Sequence, residues 1–353
     1  VNPPRTAVIF LQRKCPRKCP YCDAWRAKDK SLSLEKWKLA FRNLKDFGCD
    51  FYLLLGNEPL LLGEKLVELV KFWKAEGFYY AIYSTSPQPY FDQWKDKLVE
   101  AGLRNYSAGM DYIPVVYEKL KPKLSKKTID LVEASKNTLV KKATESLSGQ
   151  LYMYDKGVEE ILSLITISRM NIEIIPEMIE YMHEKVIKDR RWKLAFNYLE
   201  FKDSPDNDFA IEKGTSPLLD QYFFTEEDKP IWEEFLRKMH KLEKKIPEQQ
   251  IPWDYLDSWD AAMKLNRNYC KDGGWQISVD QTGQLRKCGY KTGKLVNKFT
   301  VFDLPDKKEE ILRALKRDVE KCSCYWALPF MLIRNFDYVR FDSKFWKEKY
   351  ESE

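Results

Sequence analysis

Only two histidines occur in 353 residues, so little imidazole is available for metal binding or acid–base chemistry. His183 and His240 stand on separate charged, helix-like stretches and join no ligand constellation. No apolar run approaches the length needed to cross a bilayer, and the amino terminus lacks the charged, apolar, small-residue succession of a signal peptide. These absences predict a cytoplasmic chain with no membrane partner. A concentrated basic block is missing too: 60 Lys and Arg are interleaved with 54 Asp and Glu for a net charge of +6, which argues against nucleic acid as a partner. No internal repeat or low-complexity tract interrupts the chain. What is present is 44% hydrophobic and 14% aromatic content, enough to fill one large α/β domain and a smaller appendage.

The first two hundred residues alternate short β-rich runs with longer amphipathic stretches, the pattern of repeated βα units around a parallel sheet. Strands are expected at Ala7–Leu11, Phe51–Leu55, Tyr79–Tyr83, Tyr106–Met110, Leu164–Ser168 and Lys193–Tyr198. Between them, residues 34–47 gather Leu34, Trp37, Ala40, Phe41 and Leu44 on one helical face, and Glu64–Ala75 has comparable spacing. Further helices are expected around Trp94 and Leu98, within 121–154, from Ile172 towards His183, and over Glu226–Lys245. Residues 201–214 turn polar and breaker-rich, which suggests a linker or an active-site loop. A short hairpin is expected from Gln276–Val279 and Leu285–Cys288 around Asp280–Gly283.

Eight cysteines without a secretory context imply reduced thiols, and seven of them fall into two groups. Cys15, Cys19 and Cys22 lie between a predicted strand and a predicted helix, on a βα loop of the kind where parallel-sheet folds build their sites. Three soft thiolates so close in sequence can converge on one metal centre. Structural zinc is the competing reading, but zinc favours a tetrahedral set and no fourth Cys or His is near. Cys49, just before the second strand, is expected to be a packed, inert thiol.

The run Cys15-Pro-Arg-Lys-Cys19-Pro-Tyr-Cys22, with its aromatic Tyr21, resembles the signature of the radical S-adenosylmethionine (SAM) superfamily. The resemblance implies a 4Fe-4S cluster with three cysteine ligands, whose open iron binds SAM and cleaves it reductively to a 5′-deoxyadenosyl radical. The stretch Leu54-Leu55-Gly56-Asn57-Glu58-Pro59-Leu60 looks like the family's GGEP motif, with Asn57 in place of the second glycine. It implies contact of Gly56 and Glu58 with the SAM amino group. By the same resemblance Ser84 (with Thr85 beside it), Asp111, Ser168 and Asn171, each after an apolar strand run, are candidates for the SAM carboxylate and ribose. Asn171 could equally cap a helix, and Ser84 could satisfy local backbone. Arg169, Tyr198 and Glu200 are expected at the barrel mouth after the fifth and sixth strands, as candidates for substrate contact or proton removal.

Cys270, Cys288, Cys322 and Cys324 form the second group, with Gly283 five residues before Cys288. It resembles the twitch (SPASM-like) extension of some radical SAM enzymes, although the family's closing C-x2-C is here C-x-C. That implies one auxiliary 4Fe-4S cluster for electron transfer or substrate binding. A four-cysteine zinc site is the competing reading.

The expected fold class is α/β: a partial (β/α)6 TIM-like barrel over 1–200, a bridging region over 201–260, a small C-terminal twitch-like α+β domain over 261–335, and a tail over 336–353. The expected function is hydrogen abstraction from a peptide or small molecule, leading to oxidation, cross-linking or rearrangement. A reductant such as flavodoxin or ferredoxin is implied. A peptide modifier of this family would often carry a leader-recognition module, whereas here the first strand lies close to the amino terminus; a separate peptide-recognition protein is among the partners the resemblance allows. The alternative is a non-catalytic zinc or iron–sulfur protein that binds RNA or a protein partner.

Overall fold

A computed structural model describes residues 3–12, 14–19, 22, 31–55, 58–198, 220–246, 256, 276–286 and 298–320. Six parallel strands run in sequence order: β1 (Thr6–Phe10), β2 (Phe51–Leu55), β3 (Tyr79–Tyr83), β4 (Asn105–Gly109), β5 (Glu160–Ile167) and β6 (Trp192–Tyr198). The helices among them are α1 (Leu34–Phe47), α2 (Glu64–Ala75), α3 (Tyr90–Glu100), α4 (Pro114–Leu120), α5 (Lys126–Glu133), α6 (Lys136–Asp155) and α7 (Ile175–Lys185). The sheet is open, in the order of a partial barrel, with no pairing between β6 and the far edge among the described residues.

Burial on both faces explains why the strands read as apolar runs. Along β1, Ala7 and Ile9 pack into the large core beneath the helices, whereas Val8 and Phe10 join Phe51, Leu53, Ala81, Leu162 and Ala195 on the inner face. β5 begins at Glu160, before the expected Leu164, because this carboxylate sits at the strand's inner-face start, where Tyr79 Oη donates to it at 3.1 Å. A charged first residue hid that part of the strand from a hydrophobicity reading.

α1 matches its expected limits. Ser33 caps its amino end by accepting from Lys36 N, and Gly48 ends it at φ 125°, where a Cβ would also lie 2.6 Å from Pro3 Cγ. The uncertain stretch 121–154 resolves into a 3-10 turn at Lys121–Lys123 followed by α5 and α6. α8 (Lys229–Lys245) follows a 3-10 turn at Glu226–Asp228 and packs against α7.

The hairpin is present as β7 (Gln276–Val279) and β8 (Leu285–Arg286), but its first strand pairs in parallel with β1, Ile277 beside Ala7 and Val279 beside Ile9. β1 is buried along its whole length, so its outer edge needs hydrogen-bond partners, and β7 supplies them. α9 (Leu304–Glu320) then returns against α1, where Asn43 donates to Val301 O at 3.1 Å. The linker or active-site loop expected at 201–214 lies outside the described residues, as do Cys270, Cys288, Cys322 and Cys324. Among the described residues, no helix is long and apolar enough to cross a membrane.

Candidate functional site

The cysteine loop leaves the carboxyl end of β1. Cys15, Cys19 and Cys22 are free thiols, each partly buried, and Cys22 N–H turns back to Cys19 O at 3.1 Å. Burial, reinforced by the Glu58 carboxylate, pushes the Cys15 thiol up to about 12. Burial also raises Cys19, against the opposing pull of Lys142 and Arg17. Cys15 and Cys19 therefore hold their protons at neutral pH without a metal, and a metal that binds them must displace those protons.

At the next strand end, Glu58 is fully buried and its carboxylate is saturated. Oε1 accepts from Ser84 Oγ at 2.7 Å and Leu60 N at 3.2 Å, while Oε2 accepts from Thr85 N at 2.9 Å and Thr85 Oγ1 at 3.0 Å. Gln12, at the root of the cysteine loop, donates to Glu58 O and to Lys14 O. Glu58 thus joins the β2 loop to the end of β3. A ligand contact through this carboxylate requires one of those bonds to be given up.

Asp111, after β4, pairs with the Lys142 ammonium of α6 and accepts from Thr166 N at 2.7 Å. The ammonium lies close over β4, where a Cβ on Gly109 would stand 3.0 Å from Lys142 Nζ. After β5, Asn171 accepts from Ser168 N at 2.9 Å and donates to Asp111 O and Thr166 O at 3.0 and 2.9 Å. Ser84, Asp111, Ser168 and Asn171 are all buried and bonded to the chain itself. They build the wall around the strand ends. Tyr21 and Gly56 lie outside the described residues, as do Glu200 and the side chain of Tyr198.

The sequence reading placed Arg169 at the barrel mouth, but its guanidinium turns among the helices, where Asp228, Glu173, Ser125 and Thr128 take its donors. The cation there is met by carboxylates from two elements. Cys49 is buried and donates to Pro4 O at 3.2 Å, as its packed role predicts. Sequence reasoning passed over Arg17 and Lys142. For Lys142 a signal existed: it interrupts the buried stripe Leu139, Ala143, Ser146 and Met153 of α6. A lysine on the buried face of an amphipathic helix needs a partner.

The donor set suits an iron–sulfur cluster: three free, soft thiols on one strand-end loop, with two buried cations beside Cys19. Among the described residues no three His, Cys, Asp or Glu side chains meet closely enough for a single metal ion. Cluster ligands bind separate irons and need not meet at one point.

Residues 9–165 match the Radical SAM superfamily, whose members are enzymes. The fold is similar to native anSMEcpe with bound AdoMet and Cp18Cys peptide, at 16% identity over 92% of this chain and 87% of that one, with a TM-score of 0.54. It is also similar to Streptococcus suis SuiB, at 14% identity over 81% of this chain and 60% of that one, TM-score 0.51. SuiB bound to S-adenosylmethionine gives 15% identity over the same shares, TM-score 0.50. The chain therefore spans about three fifths of the length of SuiB.

Proposed function

We propose that this chain is a radical SAM enzyme that takes a hydrogen atom from a peptide substrate. The observation that carries the reading is the cysteine triplet on the loop after β1, set beside Glu58 and Asp111 at the ends of β2 and β4 and the Lys142 ammonium of α6. Cys15, Cys19 and Cys22 would hold the cluster, which when bound supplies the electron that cleaves SAM.

The chain's own residues do the rest. Lys142 and Arg17 offset the negative charge of three thiolates, which a partly buried loop cannot leave to water. Glu58 keeps the β2 loop, with its backbone acceptors, against the end of β3. The apolar inner face, with Phe10, Leu53 and Leu162, excludes water from the centre of the sheet and limits quenching of a reactive species. Peptide as the substrate class draws on anSMEcpe, whose structure holds the Cp18Cys peptide. Cys270, Cys288, Cys322 and Cys324 would hold an auxiliary 4Fe-4S cluster in a twitch-like segment over 261–335, and a flavodoxin or ferredoxin would supply the electron.

Anaerobic reconstitution should give a brown protein with about eight irons per chain. With dithionite and SAM it should release 5′-deoxyadenosine, measured by chromatography. Replacing Cys15, Cys19 and Cys22 by Ala should abolish that release. C322A/C324A should spare it and stop product formation from a peptide. A colourless protein that leaves SAM intact would overturn the reading.

A further inference from the structure

Within the cysteine loop one side chain turns against its neighbours. Pro16 and Lys18 are exposed, but Arg17 between them is buried, its side chain only 6% exposed. A guanidinium leaves water at a large cost unless its donors are met, and here they are met from two other elements. Arg17 Nε donates to Thr85 Oγ1 at 3.2 Å, and a terminal nitrogen donates to Thr85 O at 2.9 Å and pairs with Glu145 of α6. The Thr85 carbonyl and the Glu145 carboxylate are themselves fixed. Ser146 Oγ also donates to Thr85 O at 3.2 Å, and Gln88 N donates to the Glu145 carboxylate at 3.3 Å. The Thr85 hydroxyl that accepts from Arg17 donates onward to Glu58.

We propose that Arg17 is a positioning residue, a strap that holds residues 15–19 of the cysteine loop in place before any metal binds, with Thr85 as the node that couples this stretch to Glu58. A loop ordered in advance loses less conformational freedom when its three thiols are gathered onto one centre. The forked guanidinium reaches a carbonyl, a hydroxyl and a carboxylate at once, which a lysine ammonium on a flexible stem does not reproduce. The importance of the loop rests on the cluster reading above, but the strap itself is a property of the metal-free chain.

The test is alkylation of the metal-free, full-length protein by iodoacetamide under anaerobic conditions, followed residue by residue by peptide mass spectrometry. Arg17→Met should speed alkylation at Cys15 and Cys19 by about tenfold, as local opening of the loop becomes easier, and leave buried Cys49 as slow as before. Loss of the cation alone does not speed alkylation, because a positive charge beside a thiol favours rather than suppresses the reactive thiolate. Acceleration therefore reports opening of the loop.

Arg17→Lys should not restore the slow rate, and Thr85→Val should give a smaller acceleration. If Arg17→Met exposes Cys49 as well, the variant has unfolded and Thr85→Val decides. Unchanged or slower alkylation at Cys15 and Cys19 in the folded variants overturns the strap. After reconstitution, iron loss to a chelator should be about tenfold faster in Arg17→Met than in the wild type. A wild type that takes up no iron, while Arg17→Met still opens the loop, would refute the cluster reading and leave the strap standing.

Discussion

Arg17 and Arg169 are both buried guanidiniums at the carboxyl ends of the strands, yet they organise different things. Arg17 reaches one carboxylate, one hydroxyl and one carbonyl, and what it ties down is a loop. Arg169 meets Asp228 at 2.7 Å, Glu173 at 3.1 Å, Ser125 at 2.9 Å and Thr128 at 2.5 Å, while its own N–H reaches Tyr222 O at 2.9 Å. Its partners include the N-cap of α5, the turn before α7 and the residue that opens α8. One arginine shapes a site, and the other joins the helical layer to the sheet. The number of elements that converge on each cation sets that difference.

Arg169→Met should therefore produce the largest stability loss. It leaves Asp228 and Glu173 without their buried cation, which costs about 3–5 kcal/mol, measurable by urea denaturation. Arg17→Met should lower the same midpoint far less, since a loop opens locally without the global transition. Equal losses would erase the distinction.

Gly149→Ala probes the wall between the two regions. A Cβ there would lie 2.0 Å from Ser86 Oγ and 2.6 Å from Ser86 Cβ, and Ser86 is buried at φ 49°. Alanine favours a helix interior by about 1 kcal/mol, but the overlap must push α6 from the β3 loop. A net loss of about 1–3 kcal/mol is expected, again by denaturation.

The two regions also respond to pH with opposite sign. Burial tends to raise Asp228, but the Thr225 N–H, Lys127 and Arg169 together bring it below its ordinary 3.8. A carboxylate depressed in the fold stabilises it above the unfolded value, and that contribution disappears as pH falls from about 3.8 through the folded value. For Glu58, burial outweighs its hydrogen bonds and raises it above 4.5. Its contribution is present below 4.5 and disappears as pH rises through the folded value. Asp228→Asn should flatten the acid limb of stability against pH and Glu58→Gln the limb above 4.5, each by at most about 1.4 kcal/mol per pH unit. Ser33→Ala, remote from both regions, should cost about 1 kcal/mol through the lost cap of α1, seen as a small drop in Tm.

Much of the scaffold was legible because its signals are local. α1, α2, β2 and β3 stand at their expected residues, since two-sided strand burial and one-sided helix burial leave different periods in the chain. β5 was read short because Glu160 begins it as a polar inner-face residue. The spacing of Cys15, Cys19 and Cys22 marked the loop after β1 as a candidate site. The residues thought to meet a ligand, Glu58, Ser84, Asp111 and Asn171, lie at the strand ends as expected but are bonded to one another's loops. Their partners lie up to 60 residues away in sequence, which no local pattern encodes.

The sequence by itself determined the succession of strands and helices over the first two hundred residues and the place of Cys15, Cys19 and Cys22 after β1. Tertiary structure alone decided that β7 would pair with the outer edge of β1, that Arg17 would turn inward and Arg169 towards the helices, and that Lys142 would meet Asp111. The physical reason is that backbone period and side-chain polarity are properties of neighbouring residues. The direction of a buried charge depends on which distant carboxylate, carbonyl or hydroxyl the fold brings within reach.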